Sequence, residues 1–141
     1  MRVATSLHAC MTEKLEQYLF VYGTLRKEAR RPAHQLLVQD ATYAGRASIP
    51  GRLYDLGRFP AAVISNNASD RVTGELYRLE SPGGTLAQLD AYEGNEFQRK
   101  SVIVEGEKKI QIRCWIYVFT GKVSEAKRIP SGDYVAFLRQ R

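Results

Sequence analysis

A chain of 141 residues is the length of one ordinary domain. With 44% hydrophobic and 26% charged residues, and no apolar run near the ~20 residues of a spanning helix, it is a poor candidate for a membrane protein, a disordered chain, a coiled coil or a disulfide scaffold. Lys and Arg number 21 against 15 Asp and Glu, a net charge of +6, which raises nucleic acid or an anionic ligand as a partner.

Residues 1–17 read as a poorly ordered leader, with Met11 a candidate start. Leu7-His8-Ala9-Cys10 loosely resembles a lipoprotein cleavage site but lacks an apolar stretch before it. The working domain is then 18–141. Leu19-Phe20-Val21-Tyr22 is a short apolar strand ended by a turn at Gly23. Residues 32–39 suit a turn or two of helix with Pro32 near its start. Residues 41–49 and 51–56 read as two strands on either side of Pro50-Gly51, and Ala61 to Ile64 as another. A polar turn, Ser65 to Asp70, precedes a strand over Val72–Leu79 with Thr73, Glu75 and Tyr77 on one side. Ser81-Pro82 signals a helix start; Leu86, Leu89 and Tyr92 give it an apolar face, and Gly94 closes it as a left-handed cap. Strands near 98–105 and 109–119 flank a hairpin turn at Gly106. Residues 131–140 form a short terminal helix or turn with Asp133 near its start. About seven strands and two or three short helices, without regular alternation, predict an α+β fold: a curved or closed mixed sheet with one main helix against it.

Arginine supplies 14 of the 21 positive charges and is scattered; the densest group, Arg26, Lys27, Arg30 and Arg31, is interrupted by Glu28. Neither zinc-finger spacing nor a base-stacking aromatic motif accompanies it, so a solvated basic surface is favoured over a nucleic-acid site. Cys10 and Cys114 have no metal-site or disulfide spacing, and His8 and His34 are too few for zinc. Cys114 reads as a core residue. No metal or other cofactor is indicated, and the default compartment is the cytoplasm.

The common catalytic signatures are absent: G-x-S-x-G, the P-loop, G-x-G-x-x-G and H-E-x-x-H. Two features remain. In Tyr22-Gly23-Thr24-Leu25-Arg26, the glycine lets successive N–H groups converge on an anion, while Tyr22, Thr24 and Arg26 add polar side chains. An ordinary strand-ending turn is the plainer reading. Asp90 and Glu93 lie three residues apart at a helix C-terminus, where the dipole disfavours negative charge and raises a carboxyl pKa. A solvated, frayed helix end is the plainer reading there.

Taken in order, five stretches resemble the gamma-glutamylcyclotransferase-like superfamily, in its small bacterial branch also described as AIG2-like. They are Phe20 to Arg26, Gly51 to Ala61, Val72 to Tyr77, Leu89 to Gly94, and Trp115 to Tyr117, and the resemblance covers roughly residues 18–135. It implies a small mixed β-barrel with about seven strands and helices on its outside. It implies a cavity beside Tyr22, Gly23, Thr24 and Leu25, a catalytic Glu93, and a small-molecule gamma-glutamyl substrate split into 5-oxoproline and a free amine. Phe59 and Phe97 stand where the family often has Tyr, so any hydrogen bond of those hydroxyls is missing.

Such a cleavage is an attack by the substrate's own alpha-amine on its gamma-carbonyl, so orientation replaces a protein nucleophile. Glu93 is the expected general base. The N–H groups of residues 23–25 are expected to hold either the alpha-carboxylate or the developing oxyanion. Arg26 neutralises the carboxylate or serves the surface; Tyr117 lines the cavity or packs in the core; Asp90 caps the helix or orients a neighbour. The leaving amine and the oligomeric state stay open, and neither membrane nor nucleic acid is expected as a partner. The alternatives are a non-catalytic small-molecule-binding domain of the same fold and, less favoured, a basic nucleic-acid-binding barrel.

Overall fold

The computed structural model describes residues 17–29, 32–123 and 126–140. Residues 1–16, which hold most of the expected leader and both candidate starts, lie outside the described residues. Gln17 already belongs to the domain, since its carbonyl accepts the N–H of Leu79 at 2.6 Å.

Seven strands form: β1 Tyr18–Val21, β2 Ala41–Asp55, β3 Pro60–Ile64, β4 Arg71–Leu79, β5 Phe97–Gly106, β6 Gln111–Phe119 and β7 Lys127–Ile129. Three helices accompany them: α1 His34–Val38, α2 Pro82–Glu93 and α3 Tyr134–Arg139. β2 pairs with β4, β4 with β1, β1 with β6, β6 with β5, and β5 returns to β2 through Gly106↔Ala47 and Glu105↔Ser48. These five strands close a barrel. The pair β1–β6 is parallel and the others antiparallel, which makes it a mixed barrel.

Two strands differ from the sequence expectation: β7 Lys127–Ile129 was not expected, and the two strands expected over 41–56 are one. Residues 41–55 are a single 15-residue strand, not two strands broken at Pro50-Gly51. Pro50 is the last β2 residue paired with β4, and Gly51 is the first paired with β3. A proline at that handover removes no ladder hydrogen bond. Beyond it, β2 leaves the barrel wall and carries β3 on one side and β7 on the other.

The two faces of β1 explain the packing. Phe20 points into one cluster with Ile49, Val72, Leu76, Val104 and Ile116. Leu19 and Val21 point the other way, to Leu37, Leu79, Leu86 and Leu89, where α1 and α2 cover the wall. Cys114 is fully buried in the first cluster, as expected of a small core residue.

α2 positions the site, and its ends follow from the sequence. Pro82 takes the first turn, but Ser81 makes no side-chain cap bond. Thr85 instead donates its hydroxyl to Asp40 at 3.0 Å, tying the helix start to the chain before β2. Leu86 and Leu89 are buried, whereas Tyr92 is 44% exposed and is not part of the apolar face expected of it. Gly94 has the positive φ expected of a stop, at 75°, but its ψ of −165° is extended rather than left-handed helical.

Candidate active site

β1 delivers the chain into a turn closed by Arg26 N–H to the Gly23 carbonyl at 3.0 Å. A turn of this kind leaves the N–H groups of its first three residues outside its own hydrogen bond. Its entry is anchored by Tyr22, whose hydroxyl donates to the Tyr117 carbonyl at 2.6 Å and accepts from Ala62 N–H at 3.3 Å. Glycine is required at 23, because a Cβ there would stand 2.8 Å from Cγ of Pro60. At the tip, the hydroxyls of Thr24 and Tyr92 are 2.9 Å apart and join the turn to the last turn of α2.

Between the turn and the helix end lies a pocket of about 370 Å³ including its mouth. Residues 20–25, from the end of β1 through the turn, form one side; Pro60, the rings of Phe59, Phe97 and Tyr117, and Glu93 form the rest. It adjoins an outer chamber of about 650 Å³, to which Arg58 and Tyr92 contribute. Phe97 stacks edge-on against both Phe59 and Phe119, each at 5.5 Å, so the two positions lacking hydroxyls supply a hydrocarbon wall.

The two acids of α2 meet opposite surroundings. Asp90 accepts Nε and Nη2 of Arg99 at 2.9 and 3.2 Å and the Tyr117 hydroxyl at 2.5 Å. The Arg99 hydrogen bonds, helped by Tyr117, hold its carboxyl below the usual carboxylate range. Glu93 is half-buried in the pocket, and among the described residues its carboxylate has no hydrogen-bond or ion-pair partner. Burial pushes its pKa up to about 7. Tyr22 and Tyr117 are shifted upward by burial, so their hydroxyls stay protonated and act as donors.

Six of the seven expected site residues therefore share one pocket: Tyr22, Gly23, Thr24, Leu25, Glu93 and Tyr117. Arg26 does not. Its side chain is fully buried on the other side of the turn, where Nε donates to Glu75 at 3.2 Å and Nη1 to Asp133 at 2.9 Å. It is neither a pocket-lining ligand nor a surface charge. Arg58 and Tyr92 were not among the expected site residues, nor were Glu75 and Asp133. An acid in the middle of β4, a strand buried on both faces, was the available signal for a buried cation. Among the described residues no group of His, Cys, Asp and Glu is placed to hold a metal ion. No helix among them is long and apolar enough to cross a membrane.

A closed mixed barrel with a polar turn after its first strand defines the class of fold, and a half-buried carboxylate stands at the end of its main helix. Within that class the chain belongs to the family described as gamma-glutamyl cyclotransferase, AIG2-like, whose model matches residues 19–136. A protein of Methanocaldococcus jannaschii, provisionally named a gamma-glutamylcyclotransferase, is 25% identical over 120 residues, covering 84% of this chain and 95% of that one. YkqA of Bacillus subtilis, provisionally named likewise, is 28% identical over 120 residues, or 85% of this chain. This chain spans only 42% of YkqA's length. The crystal structure of YkqA superposes with a TM-score of 0.70 over 89% of this chain and 43% of that one. The solution structure of ytfP from Escherichia coli, 33% identical, superposes with a TM-score of 0.62 over 88% of this chain and 99% of that one.

Proposed function

We propose that this chain is a gamma-glutamyl cyclotransferase-type enzyme that releases 5-oxoproline and a free amine from a small gamma-glutamyl substrate, with Glu93 as general base and then general acid. The observation that carries the reading is the Glu93 carboxylate beside the Gly23–Leu25 turn, without a partner among the described residues and with its pKa raised to about 7.

The alpha-amine of a glutamyl group has a pKa of about 7.7–8.0 and is mostly protonated at neutral pH. Glu93, raised to about 7, lies close to that value, so the proton moves across a small energy gap. The freed nitrogen forms a bond to the gamma-carbonyl carbon, and the five-membered ring closes. The bond from that carbon to the leaving nitrogen then breaks as Glu93 returns the proton to that nitrogen, and the second proton of the ring nitrogen passes through Glu93 to the departing amine, which leaves as an ammonium. Nucleophile and electrophile belong to one molecule, so the pocket's task is to fold the glutamyl chain. Effective molarities of about 10⁵–10⁸ M are open to well-oriented reactions of this kind.

The N–H groups of Gly23, Thr24 and Leu25, outside the turn's own hydrogen bond, are suited to hold a substrate oxygen, either the alpha-carboxylate or the oxyanion that develops on the gamma-carbonyl. The rings of Phe59 and Phe97 line the pocket beside Glu93, where burial raises its pKa. The outer chamber, with Arg58 and Tyr92, receives the leaving amine. The reaction needs no cofactor, membrane or nucleic acid, and a cytoplasmic setting fits it.

Release of 5-oxoproline from a panel of gamma-glutamyl amino acids and amines tests the reading. Wild type is expected to release it and Glu93→Gln to lose turnover while keeping its fold. Binding of the substrates without any release by wild type would leave a ligand-binding domain instead.

A further inference from the structure

Arg26 occupies a place that the proposed reaction does not explain. It is a fully buried cation at the last position of the turn proposed to hold the substrate oxygen. Its backbone N–H closes that turn onto Gly23. Its side chain runs away from the pocket to two acids from distant parts of the chain, Glu75 in β4 and Asp133 before α3.

Glu75 grips the exit of the turn twice. Its Oε2 accepts Nε of Arg26 at 3.2 Å, while its Oε1 accepts the backbone N–H of Lys27 at 2.9 Å. The Tyr77 hydroxyl donates to the same Oε1 at 2.8 Å and fixes the carboxylate on its strand. Asp133 has two tasks as well. Its Oδ1 caps α3 by accepting from Val135 and Ala136 N–H at 3.0 and 3.2 Å, and it accepts Nη1 of Arg26 at 2.9 Å. Arg46 stands 3.7 Å from the other oxygen, so two arginines and two acids form one balanced chain of charge. A planar guanidinium bound along two directions cannot swivel, so the Cα of Arg26 is fixed by the barrel wall and by the C-terminal helix together.

We infer that Glu75 and Asp133 are positioning residues that act through Arg26 to hold the N–H groups of Gly23, Thr24 and Leu25 in the geometry that receives the substrate oxygen. This rests on the proposed reading of the turn. Geometry of that kind is sensitive, since a displacement of about 1 Å can cost about a hundredfold in rate. A merely structural ion-pair chain would stabilise the barrel without singling out the turn.

Two measurements on the full chain separate these roles. Asp133→Asn keeps an oxygen for the α3 cap and loses the charge that holds Arg26. Glu75→Gln does the same from the barrel wall, and Arg26→Lys keeps the charge but not the fork. Backbone ¹⁵N relaxation should show the order parameters of Gly23, Thr24 and Leu25 falling from near 0.85 towards 0.6 or below (rough bounds for rigid and mobile backbone) in Asp133→Asn and Glu75→Gln. The β5–β6 amides should stay unchanged. In the 5-oxoproline assay kcat/KM should fall about tenfold for Asp133→Asn and up to about a hundredfold for Glu75→Gln, with the acid limb of the pH profile unmoved and Arg26→Lys in between. Unchanged turn amides in a folded variant, or order lost evenly around the barrel, would overturn the inference. Should Glu75→Gln fail to fold, Asp133→Asn alone decides. A wild type that releases no 5-oxoproline would refute the enzymatic reading, and the relaxation result would still decide whether these acids order the turn.

Discussion

Asp90 and Glu93 sit one helical turn apart on α2 and end in opposite electrostatic states. Asp90 faces β5 and β6, where Arg99 and Tyr117 together make three hydrogen bonds to it and favour its charge. Glu93 turns into a pocket walled by Phe59 and Phe97, where nothing among the described residues favours its charge and burial disfavours it. Both are acids at the same helix end, so the macrodipole cannot separate them. The neighbours do, and they divide the labour: one acid holds the architecture while its companion is left able to exchange a proton.

The largest effect that tests this contrast is the loss of Glu93. Glu93→Gln should lower 5-oxoproline release by about 10²–10⁴-fold, the usual contribution of a positioned acid–base group. The same substitution should make the protein more stable, with a pH dependence set by the raised pKa. Below pH 4.5 the glutamate is protonated folded and unfolded, and the variant gains nothing. Between 4.5 and about 7 the unfolded chain releases its proton while the folded one keeps it, so wild-type stability falls as pH rises. Above about 7 the full penalty is in place, roughly 3–4 kcal/mol for a rise from 4.5 to about 7 at ~1.4 kcal/mol per pKa unit. Thermal unfolding of both proteins at pH 4 and pH 8 checks this; a variant equally stabilised at both would show that Glu93 is not desolvated.

The next effect is on the pH profile. In the proposed role of general base Glu93 must be ionised, so kcat/KM should fall on the acid side with a midpoint near 7. A small carboxylate in water would place that midpoint near 4.3. Replacing Phe97 by Tyr would bring a hydroxyl into the wall, and the midpoint should then move down as the carboxylate gains a donor. An acid limb near pH 4–5 in wild type would show that Glu93 is solvated in the working enzyme.

A smaller effect is expected at the partner acid. Asp90→Asn keeps the shape and weakens the charge-assisted bonds to Arg99, which lie at a half-exposed site. Activity should fall about three- to tenfold as the helix end loosens, and the acid limb should stay where it is. A midpoint that moved with Asp90→Asn would mean the two acids titrate as a coupled pair.

Much of this division could be read from the chain, though not all. The strand before Gly23 and the helix bounded by Ser81-Pro82 and Gly94 follow from local signals of turn chemistry and period, whereas the grouping of Tyr22–Leu25 with Glu93 is implied only by the family resemblance of the ordered motifs. The continuity of β2 through Pro50-Gly51 did not, because it depends on two different partners meeting one strand at that point. The burial of Arg26 did not either: an arginine after a glycine turn looks solvent-facing until an acid from β4 and another from before α3 arrive in space. Tyr92 failed for a related reason. Its spacing from Leu89 is helical, but α2 overruns the barrel wall there, and the ring is left at the pocket mouth.

That ring gives the smallest and most discriminating test. The Tyr92 and Thr24 hydroxyls are 2.9 Å apart at an exposed site, and the bond spans the gap between the helix that carries Glu93 and the turn that faces it. A neutral hydrogen bond contributes about 0.5–1.5 kcal/mol net, and exposure puts this one at the low end. Thr24→Val and Tyr92→Phe should each lower kcat/KM only about two- to threefold. Each removes the same bond, so the double variant should be no worse than either single one, a coupling that a double-mutant cycle reads directly. Additive losses would mean that one hydroxyl contacts the substrate by itself. The turn and the helix end would then be held together by the Tyr22 and Asp90 contacts to β6 and by the apolar cluster of Leu25 with Leu86 and Leu89, and Glu93 would owe its placement to the barrel wall rather than to the Thr24 hydroxyl.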